Sequence, residues 1–257
     1  SGGQVNVKAL LWSAAPVGGA LPDTLRFWHS EENVAFARAV KAAGGDAVLD
    51  NRLPALPGSS HHQKFVVVTA KNPAATAAYV GGIDLCLDRW DTPKHDGAPA
   101  RQADVAKVAG LELHMVSSAA WHDVQAKVQG PAVAQFWHAF RARWNDPRQP
   151  NHTLSQAEFR QGRPLAGPAP ACPAVGTAAV QVHQTMPAGI FPELGGVGEQ
   201  TIAMAHAHII ARAQHYIYIE DQFFWPCALV EMLEAALTRG VRVMLIVARD
   251  DATPPPP

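Results

Sequence analysis

Hydrophobic residues near the start of the chain follow first the pattern of a strand and then that of a helix. Residues 5–12 are largely apolar, which predicts a strand. Apolar residues then recur at helical spacing from Val34 to Ala43, behind Ser30 and two acidic residues. We therefore predict a helix that Ser30 caps at its start and that Gly44 and Gly45 end.

Four further apolar segments predict strands, at Ala47–Leu49, Phe65–Val68, Ala78–Ile83 and Val124–Val128. The unbroken apolar run of Phe65–Val68 is typical of a central strand that is covered on both faces, in a parallel or mixed sheet. Val124–Val128 alternates apolar with polar residues, which predicts a half-buried strand.

A helix is predicted after Pro131, because the fixed backbone of proline suits the first turn. Its residues repeat large apolar side chains at helical spacing, which predicts one face packed into the core. These residues are Val133, Phe136, Trp137, Phe140 and Trp144.

A Pro-, Arg- and Gln-rich stretch follows from residue 147 to 173 and predicts a long linker or an active-site lid. Beyond it, strands are predicted at Ala179–Gln184, Tyr216–Glu220 and Val241–Val247, and helices at Glu199–Ala213 and Leu229–Arg239, with Gly240 at the helix end. The alternation of strands and helices predicts an α/β fold, with a mixed, largely parallel sheet flanked by helices.

The composition narrows the class of protein. The chain has 257 residues, of which 48% are hydrophobic and 17% charged, so it can bury a core and is not a disordered chain. The formal net charge of −1 gives no general reason to expect nucleic-acid binding. Cys86, Cys172 and Cys227 lie far apart and fit neither a disulfide scaffold nor a zinc site.

The most informative polar residues are His62 and Lys64, which directly precede the strand Phe65–Val68. Residues two apart on a strand share a face, so the imidazole and the ammonium are expected to point the same way. The imidazole can attack phosphorus, and the ammonium can neutralise a phosphate oxygen as its negative charge grows. Two polar residues at the start of a strand are not specific by themselves.

Further blocks follow His62 and Lys64 in a fixed order: Gly81-Gly82-Ile83-Asp84-Leu85-Cys86, Arg89-Trp90-Asp91, Trp121-His122-Asp123 and Tyr218-Ile219-Glu220-Asp221-Gln222-Phe223-Phe224. Together they resemble the phospholipase D superfamily, in its eukaryotic-type branch, over most of the chain. The signature of that family is H-x-K-x-x-x-x-D followed by Gly-Gly and an Asn or Asp. His62, Lys64, Gly81, Gly82 and Asp84 match it.

The sequence departs from the signature at Thr69, which stands where the family has Asp. A threonine hydroxyl carries no charge that could support an imidazolium. Three explanations stay open: the motif is weakened, a carboxylate elsewhere substitutes, or a hairpin around Lys71 has displaced the Asp.

The resemblance implies a two-step displacement through a phosphohistidine. One histidine attacks the phosphodiester, and a histidine from a second copy of the motif protonates the leaving alcohol. Lys64 would hold phosphate oxygens, whereas Asp84 is expected to orient its neighbours because a carboxylate is a poor phosphate ligand. The resemblance implies neither a metal nor a cofactor.

Other site residues come from the later blocks. Glu220 ends a predicted strand and is expected to orient groups at the mouth of the site. Gln222 and Trp90, together with Gly81 and Gly82, are expected to contact the substrate. The aromatic residues 223–225 either pack or admit a lipid chain.

Two further pairs of residues, each with a histidine, are expected to have no catalytic role. His206 and His208 lie two apart on a predicted helix and do not share a face, so no metal site is expected there. His122 and Asp123 precede a predicted strand, where they are expected to close a turn.

The chain also contains a weak internal repeat, in which residues 5–12 resemble residues 241–247. A strand and a helix precede the second copy but not the first, and the second H-x-K is missing. We therefore expect two partial lobes, 1–146 and 174–257, joined by 147–173. A split or nicked enzyme is favoured over a homodimer that pools two histidines and over an inactive phospholipid-binding module.

These features predict an α/β phospholipase D-like hydrolase that cleaves the head-group phosphodiester of glycerophospholipids at a membrane surface. A second polypeptide segment with the other H-x-K would complete it. The alternative enzyme is a nuclease of the same superfamily, but the near-neutral charge disfavours a nucleic-acid partner. The Ala- and Pro-rich composition favours a bacterial protein that is secreted, periplasmic or delivered as an effector.

Overall fold

The computed structural model describes residues 5–12, 29–50, 52, 61–85, 122–147, 164–190, 196–222, 224 and 229–247. The helices in these ranges are α1 (His29–Ala42), α2 (Val133–Trp144), α3 (Thr201–Arg212) and α4 (Val230–Thr238). The strands are β1 (Lys8–Trp12), β2 (Asp46–Asp50), β3 (Phe65–Val68), β4 (Ala77–Gly81), β5 (Gln125–Gln129), β6 (Thr185–Met186), β7 (Glu199–Gln200), β8 (Tyr216–Asp221) and β9 (Arg242–Val247). The predicted α/β class is confirmed.

The strands form four small sheets within the described ranges. β1 pairs with β2 and β8 pairs with β9, both in parallel, and a helix connects the two strands of each pair. β3, β4 and β5 form an antiparallel sheet in that order, and β6 pairs antiparallel with β7. Each described sheet is therefore either parallel or antiparallel, and both kinds are present.

β3 was expected to be a central strand in a parallel or mixed sheet. Among the described strands it pairs antiparallel with β4 and lies at an edge. One face of β3 packs against α2, where the rings of Phe65 and Phe136 are 5.9 Å apart. Val68 is 49% exposed. A run of four apolar residues is therefore not enough to predict that both faces of a strand are covered.

The described residues divide into two compact units, one formed by residues up to 182 with 189–196 and the other by 183–188 with residues from 197 onward. The first unit has two cores: Ala37 and Leu49 pack between α1 and its strands, and Val133 packs against the antiparallel sheet. The second unit packs α3 and α4 against β8 and β9, around Ile210 and Leu233.

Helix ends and helix faces follow the sequence closely. Gly44 has a φ of 86° after α1, and the Gly45 N–H donates to the carbonyl of Val40 at 2.9 Å, which is the predicted glycine stop. Gly240 has the same φ of 86° after α4. α1 begins at His29, one residue before the expected cap Ser30. No described helix combines the length and hydropathy needed to cross a bilayer.

The aromatic face of α2 is a core face, as predicted. Val133, Phe136, Trp137 and Trp144 are buried, and Phe140 stacks on Trp144 with ring centroids 5.6 Å apart. This helix therefore anchors the antiparallel sheet rather than lining a ligand cavity.

One strand prediction needs correction. Residues 179–184 form no strand: the Gln184 N–H donates to the Thr201 hydroxyl at 2.9 Å, and the two residues of β6 that follow are the ones that pair with β7. An N–H that bonds to a side chain cannot at the same time extend a ladder. The half-buried strand predicted after Asp123 is present as β5, and Val124 just before it is 72% exposed.

Candidate active site

The predicted pair His62 and Lys64 lies just before β3. The Gly81 N–H donates to the Lys64 carbonyl at 3.3 Å, which extends the pairing of β3 with β4. The Lys64 ammonium lies 3.3 Å from the Asp84 carboxylate and donates to the His62 carbonyl at 3.1 Å. The structure thus places Lys64 between His62 and Asp84, and the His62 side chain lies at the surface.

His61 and Gln63 alternate with His62 and Lys64 along the same segment and contact buried charged residues. We call Asp50, Arg52, His61 and Arg143 the charged cluster. Asp50 ends β2 and is fully buried; its two carboxylate oxygens accept from Arg52 Nε at 2.8 Å and from Arg143 Nη2 at 3.2 Å. His61 Nε2 lies 3.5 Å from Asp50, and Arg143 Nη1 donates to the Gln63 amide oxygen at 3.3 Å. The segment therefore has a buried side and an exposed side.

Arg52 ties the cluster to the end of α2. Its Nη2 donates to the carbonyl of Arg143 at 2.8 Å, and its Nη1 donates to the carbonyl of Asp146 at 3.0 Å. The last carbonyls of a helix have no partner inside the helix, so these bonds satisfy groups that burial would otherwise leave unpaired. Arg52 thereby fixes the end of β2 against the end of α2.

The electrostatics of the cluster follow from its burial. Burial by itself would raise the pKa of Asp50, but the nearby His61, the hydrogen bond from Arg52 and the charge of Arg143 outweigh it and hold that pKa far below its usual range. The pKa of His61 is lowered, first by burial and then by Arg143, although the nearby Asp50 carboxylate opposes the shift. Burial likewise lowers the pKa of Arg143, whose guanidinium stays protonated in proteins.

Gly81 and Gly82 meet a close approach of chain. A Cβ atom at Gly81 would come under 3.0 Å from the backbone of Val124, and one at Gly82 would come equally close to the Asp123 carboxylate. The same carboxylate accepts from the N–H of the next residue, Val124, at 2.7 Å. The two glycines therefore let β4 and the start of β5 approach each other.

The remaining predicted residues lie elsewhere. Glu220 and Gln222 belong to the second unit, at the exposed end of β8, where Glu220 accepts from the Tyr218 hydroxyl at 3.0 Å. That hydrogen bond raises the pKa of Tyr218. Phe224 packs against the core of this unit. Trp90 lies outside the described residues, as do Phe223 and Trp225 of the aromatic cluster.

The structure also describes Thr69, the groups that could bind a metal ion, and one cysteine. Thr69 follows β3 and is exposed. Across the described ranges, no three His, Cys, Asp or Glu side chains lie close enough to share a metal ion. Cys172 is buried with its thiol free, and Cys86 and Cys227 fall outside those ranges.

The sequence reasoning missed the charged cluster. Arg143 lies seven residues after Phe136, on the apolar face of α2, and a charged residue on such a face is almost never buried unless it is paired. That position was the available signal. It did not identify the partner Asp50, which lies 93 residues away in the sequence.

An α/β protein that holds a lysine ammonium against the backbone carbonyl of a surface histidine is of a class suited to phosphodiester chemistry. The family model for Phospholipase D matches residues 2–230. Phospholipase D alpha 1 of Nicotiana tabacum is 27% identical over 263 residues, which cover 86% of this chain and 32% of the tobacco protein. Phospholipase D alpha 2 of Arabidopsis thaliana is 28% identical, with the same shares covered. The chain belongs to the phospholipase D family, and it spans about a third of the length of these relatives.

Proposed function

We propose that this chain supplies one H-x-K motif of a phospholipase D that hydrolyses the head-group phosphodiester of glycerophospholipids. The observation that carries the proposal is the Lys64 ammonium, placed between the Asp84 carboxylate and the carbonyl of the surface residue His62. Membership of the phospholipase D family supports the reaction type.

The proposed reaction has two steps. A histidine nitrogen bonds to phosphorus while the bond from phosphorus to the head-group oxygen breaks, and a second histidine gives its proton to the leaving alcohol. Water or another alcohol then attacks the phosphohistidine and releases the phosphatidyl group. His62 is one of these two histidines, either the nucleophile or the acid.

Lys64 is proposed to stabilise the negative charge that grows on the phosphate oxygens. Its ammonium has three N–H donors. The His62 carbonyl accepts one of them and the Asp84 carboxylate lies 3.3 Å from the ammonium, so a phosphate oxygen can take another donor. Asp84 then orients the ammonium and does not contact the phosphate, which it would repel.

The second histidine and the second lysine are proposed to come from another polypeptide segment. The sequence contains a single H-x-K, and the reaction needs two. In this proposal residues 1–146 and 174–257 belong to two lobes, and residues 147–173 connect them. Intact-mass and size measurements on the purified sample distinguish a co-purifying segment from a homodimer. A monomer without head-group release would leave an inactive phospholipid-binding module.

Substrate contacts away from the H-x-K segment belong to the proposal as well. Gly81 and Gly82 border the ladder that holds Lys64, and because Val124 and Asp123 fill the space where their side chains would stand, their contact with the substrate is proposed through the backbone. Glu220 and Gln222, both exposed at the end of β8, and Trp90 of the Arg89-Trp90-Asp91 block are proposed as site residues on the resemblance of their sequence blocks alone. A secreted or periplasmic bacterial location stays a prediction, because the relatives named above come from plants.

The decisive experiment compares two phosphodiester substrates in the protein purified with any polypeptide that accompanies it. We expect choline release from phosphatidylcholine vesicles and no cleavage of DNA. A nuclease would instead cleave DNA and bind it with a steep dependence on salt. DNA cleavage without choline release would overturn the lipid assignment, and the absence of both would overturn the assignment as an enzyme.

A further inference from the structure

We propose that Arg143 and Gln63 are positioning residues that hold the backbone of the H-x-K segment, so that the His62 side chain faces away from the protein interior and the Lys64 ammonium stays beside the His62 carbonyl. The effect on reaction rate rests on the function proposed above. The effect on the order of the segment does not rest on it, because it follows from the contacts alone.

The guanidinium of Arg143 joins two acceptors. Nη1 donates to the Gln63 amide oxygen at 3.3 Å, and Nη2 donates to the buried carboxylate of Asp50 at 3.2 Å. The Arg143 side chain is 7% exposed, so both bonds lie in an environment of low dielectric, where hydrogen bonds to charged groups are strong. Gln63 is thereby linked through Arg143 to Asp50.

The residue on the other side of His62 lies beside the same carboxylate. His61 Nε2 is 3.5 Å from Asp50 Oδ1, and its side chain is buried. His61 and Gln63 flank His62, so the packing of His61 and the hydrogen bond at Gln63 restrain the backbone of His62 from each side. In an extended segment alternate side chains point to opposite faces, which directs His62 away from the charged cluster.

The contacts of Lys64 complete the arrangement. Lys64 donates back to the His62 carbonyl at 3.1 Å, and the Lys64 carbonyl accepts from the Gly81 N–H at 3.3 Å. The backbone around His62 therefore has restraints from the cluster behind it and from β4 beside it. Removal of the restraint at Gln63 leaves the restraint from β4 in place, so it should loosen the segment without unfolding the sheet.

Arginine is required at residue 143 by this geometry. Its planar guanidinium can donate to two acceptors in fixed directions at once, whereas the single ammonium of lysine cannot reach both acceptors with that geometry. Arg143→Lys keeps the charge beside Asp50 and should lose the bond to Gln63. The variant thus separates charge from positioning.

The test uses a pair of matched substitutions in the same purified protein. Gln63→Met removes the acceptor for Arg143, and Gln63→Glu replaces it with a carboxylate that can accept the same bond. Gln129→Met is the control, because the Gln129 amide on β5 donates to the Ala74 carbonyl at 3.0 Å and has no part in the H-x-K segment. Arg143→Lys is the fourth variant.

The first readout is hydrogen–deuterium exchange in the peptide that covers residues 61–64. Exchange should become about tenfold faster in Gln63→Met and in Arg143→Lys, because a hydrogen bond to a charged group contributes at least that factor to a local equilibrium. Gln63→Glu should restore exchange to within about a factor of two of the wild type. Gln129→Met should leave this peptide unchanged. Unchanged exchange in Gln63→Met would overturn the proposal.

The second readout is the kinetics of choline release. Gln63→Met should lower kcat by about tenfold to a hundredfold with little change in KM, because a misplaced catalytic group weakens the transition state more than substrate binding. A rise in KM alone would contradict a positioning role. If the wild type releases no choline, the proposed function fails, and hydrogen exchange still decides whether Arg143 and Gln63 hold the segment.

Discussion

The two parallel strand–helix–strand units, β1–α1–β2 and β8–α4–β9, have the same connectivity and very different surroundings. In β2 the four residues from Ala47 to Asp50 are buried, whereas in β9 the four residues from Met244 to Val247 are exposed. Each unit also has one strand that ends in an aspartate. Asp50 at the end of β2 is fully buried, and Asp221 at the end of β8 is exposed.

The difference shows that burial of a strand end depends on partners that are distant in sequence. The end of β2 is enclosed by Arg143 of α2 and by His61, which lie 93 and 11 residues away from Asp50. At the end of β8 the exposed side chain of Glu220 bonds to Tyr218, two residues away. Of the two, therefore, only β1–α1–β2 has a buried strand end that contacts the H-x-K segment.

Substitution of asparagine for the aspartate at the end of β2 or of β8 should give the largest difference in the free energy of unfolding between the two strand–helix–strand units. Asp50→Asn leaves Arg52 and Arg143 without their shared counter-charge in a buried site, and should lower the free energy of unfolding by about 3–5 kcal/mol. Asp221→Asn is a surface change and should stay within about 0.5 kcal/mol of the wild type. Urea unfolding measures both. Equal losses in the two variants would contradict the assigned difference in burial.

Truncation of one leucine in each unit should give a smaller contrast. Leu49 on β2 is 0% exposed and packs in the core with Ala37, so Leu49→Ala should cost about 2–5 kcal/mol. Leu245 on β9 is 43% exposed, so Leu245→Ala should cost about 1 kcal/mol. The same unfolding measurement applies. A cost for Leu245→Ala as large as that for Leu49→Ala would mean that β9 is covered in solution.

The smallest expected effect is a dependence of stability on pH that comes from His61. Its folded pKa is lowered from 6.5, so below that pH the unfolded chain binds a proton that the folded chain does not. The free energy of unfolding should therefore fall as the pH drops below 6.5, by about 1.4 kcal/mol per pH unit until the folded pKa is reached. Asp50, whose pKa is also lowered, adds a loss in the same direction below 3.8.

Two histidine variants isolate this contribution. His61→Gln should reduce the loss of stability that occurs as the pH falls below 6.5, because glutamine does not titrate. His208→Gln changes an exposed histidine of α3 and should keep the full loss. An identical pH profile for His61→Gln and the wild type would show that His61 does not stay neutral in the fold.

Local pattern was sufficient to predict most of the fold. The helical repeat of α2, the glycine stops after α1 and α4, and the apolar run of β3 are all properties of neighbouring residues, and the structure contains each of them. The strand predicted at Ala179–Gln184 failed because a strand needs a partner, which no local pattern reports. The edge position of β3 was missed for the same reason.

Prediction of the candidate site was limited in a similar way. The spacing of His62 and Lys64 was visible in the sequence, and the blocks that follow them identified Asp84, which lies beside Lys64. The charged cluster behind them joins residues of β2, the H-x-K segment and α2, so its partners are spread over nearly a hundred residues. Long-range ion pairs leave no periodic signal, and only an arginine on an apolar helix face indicated one.

Head-group release by His62→Ala tests the central claim most directly. The variant removes only an exposed imidazole, so hydrogen exchange in the sheet and the melting temperature should match the wild type. Choline release from phosphatidylcholine should fall by at least about a thousandfold, because loss of either histidine removes a step that the rest of the site cannot supply. Choline release at the wild-type rate in a folded His62→Ala protein would contradict the account.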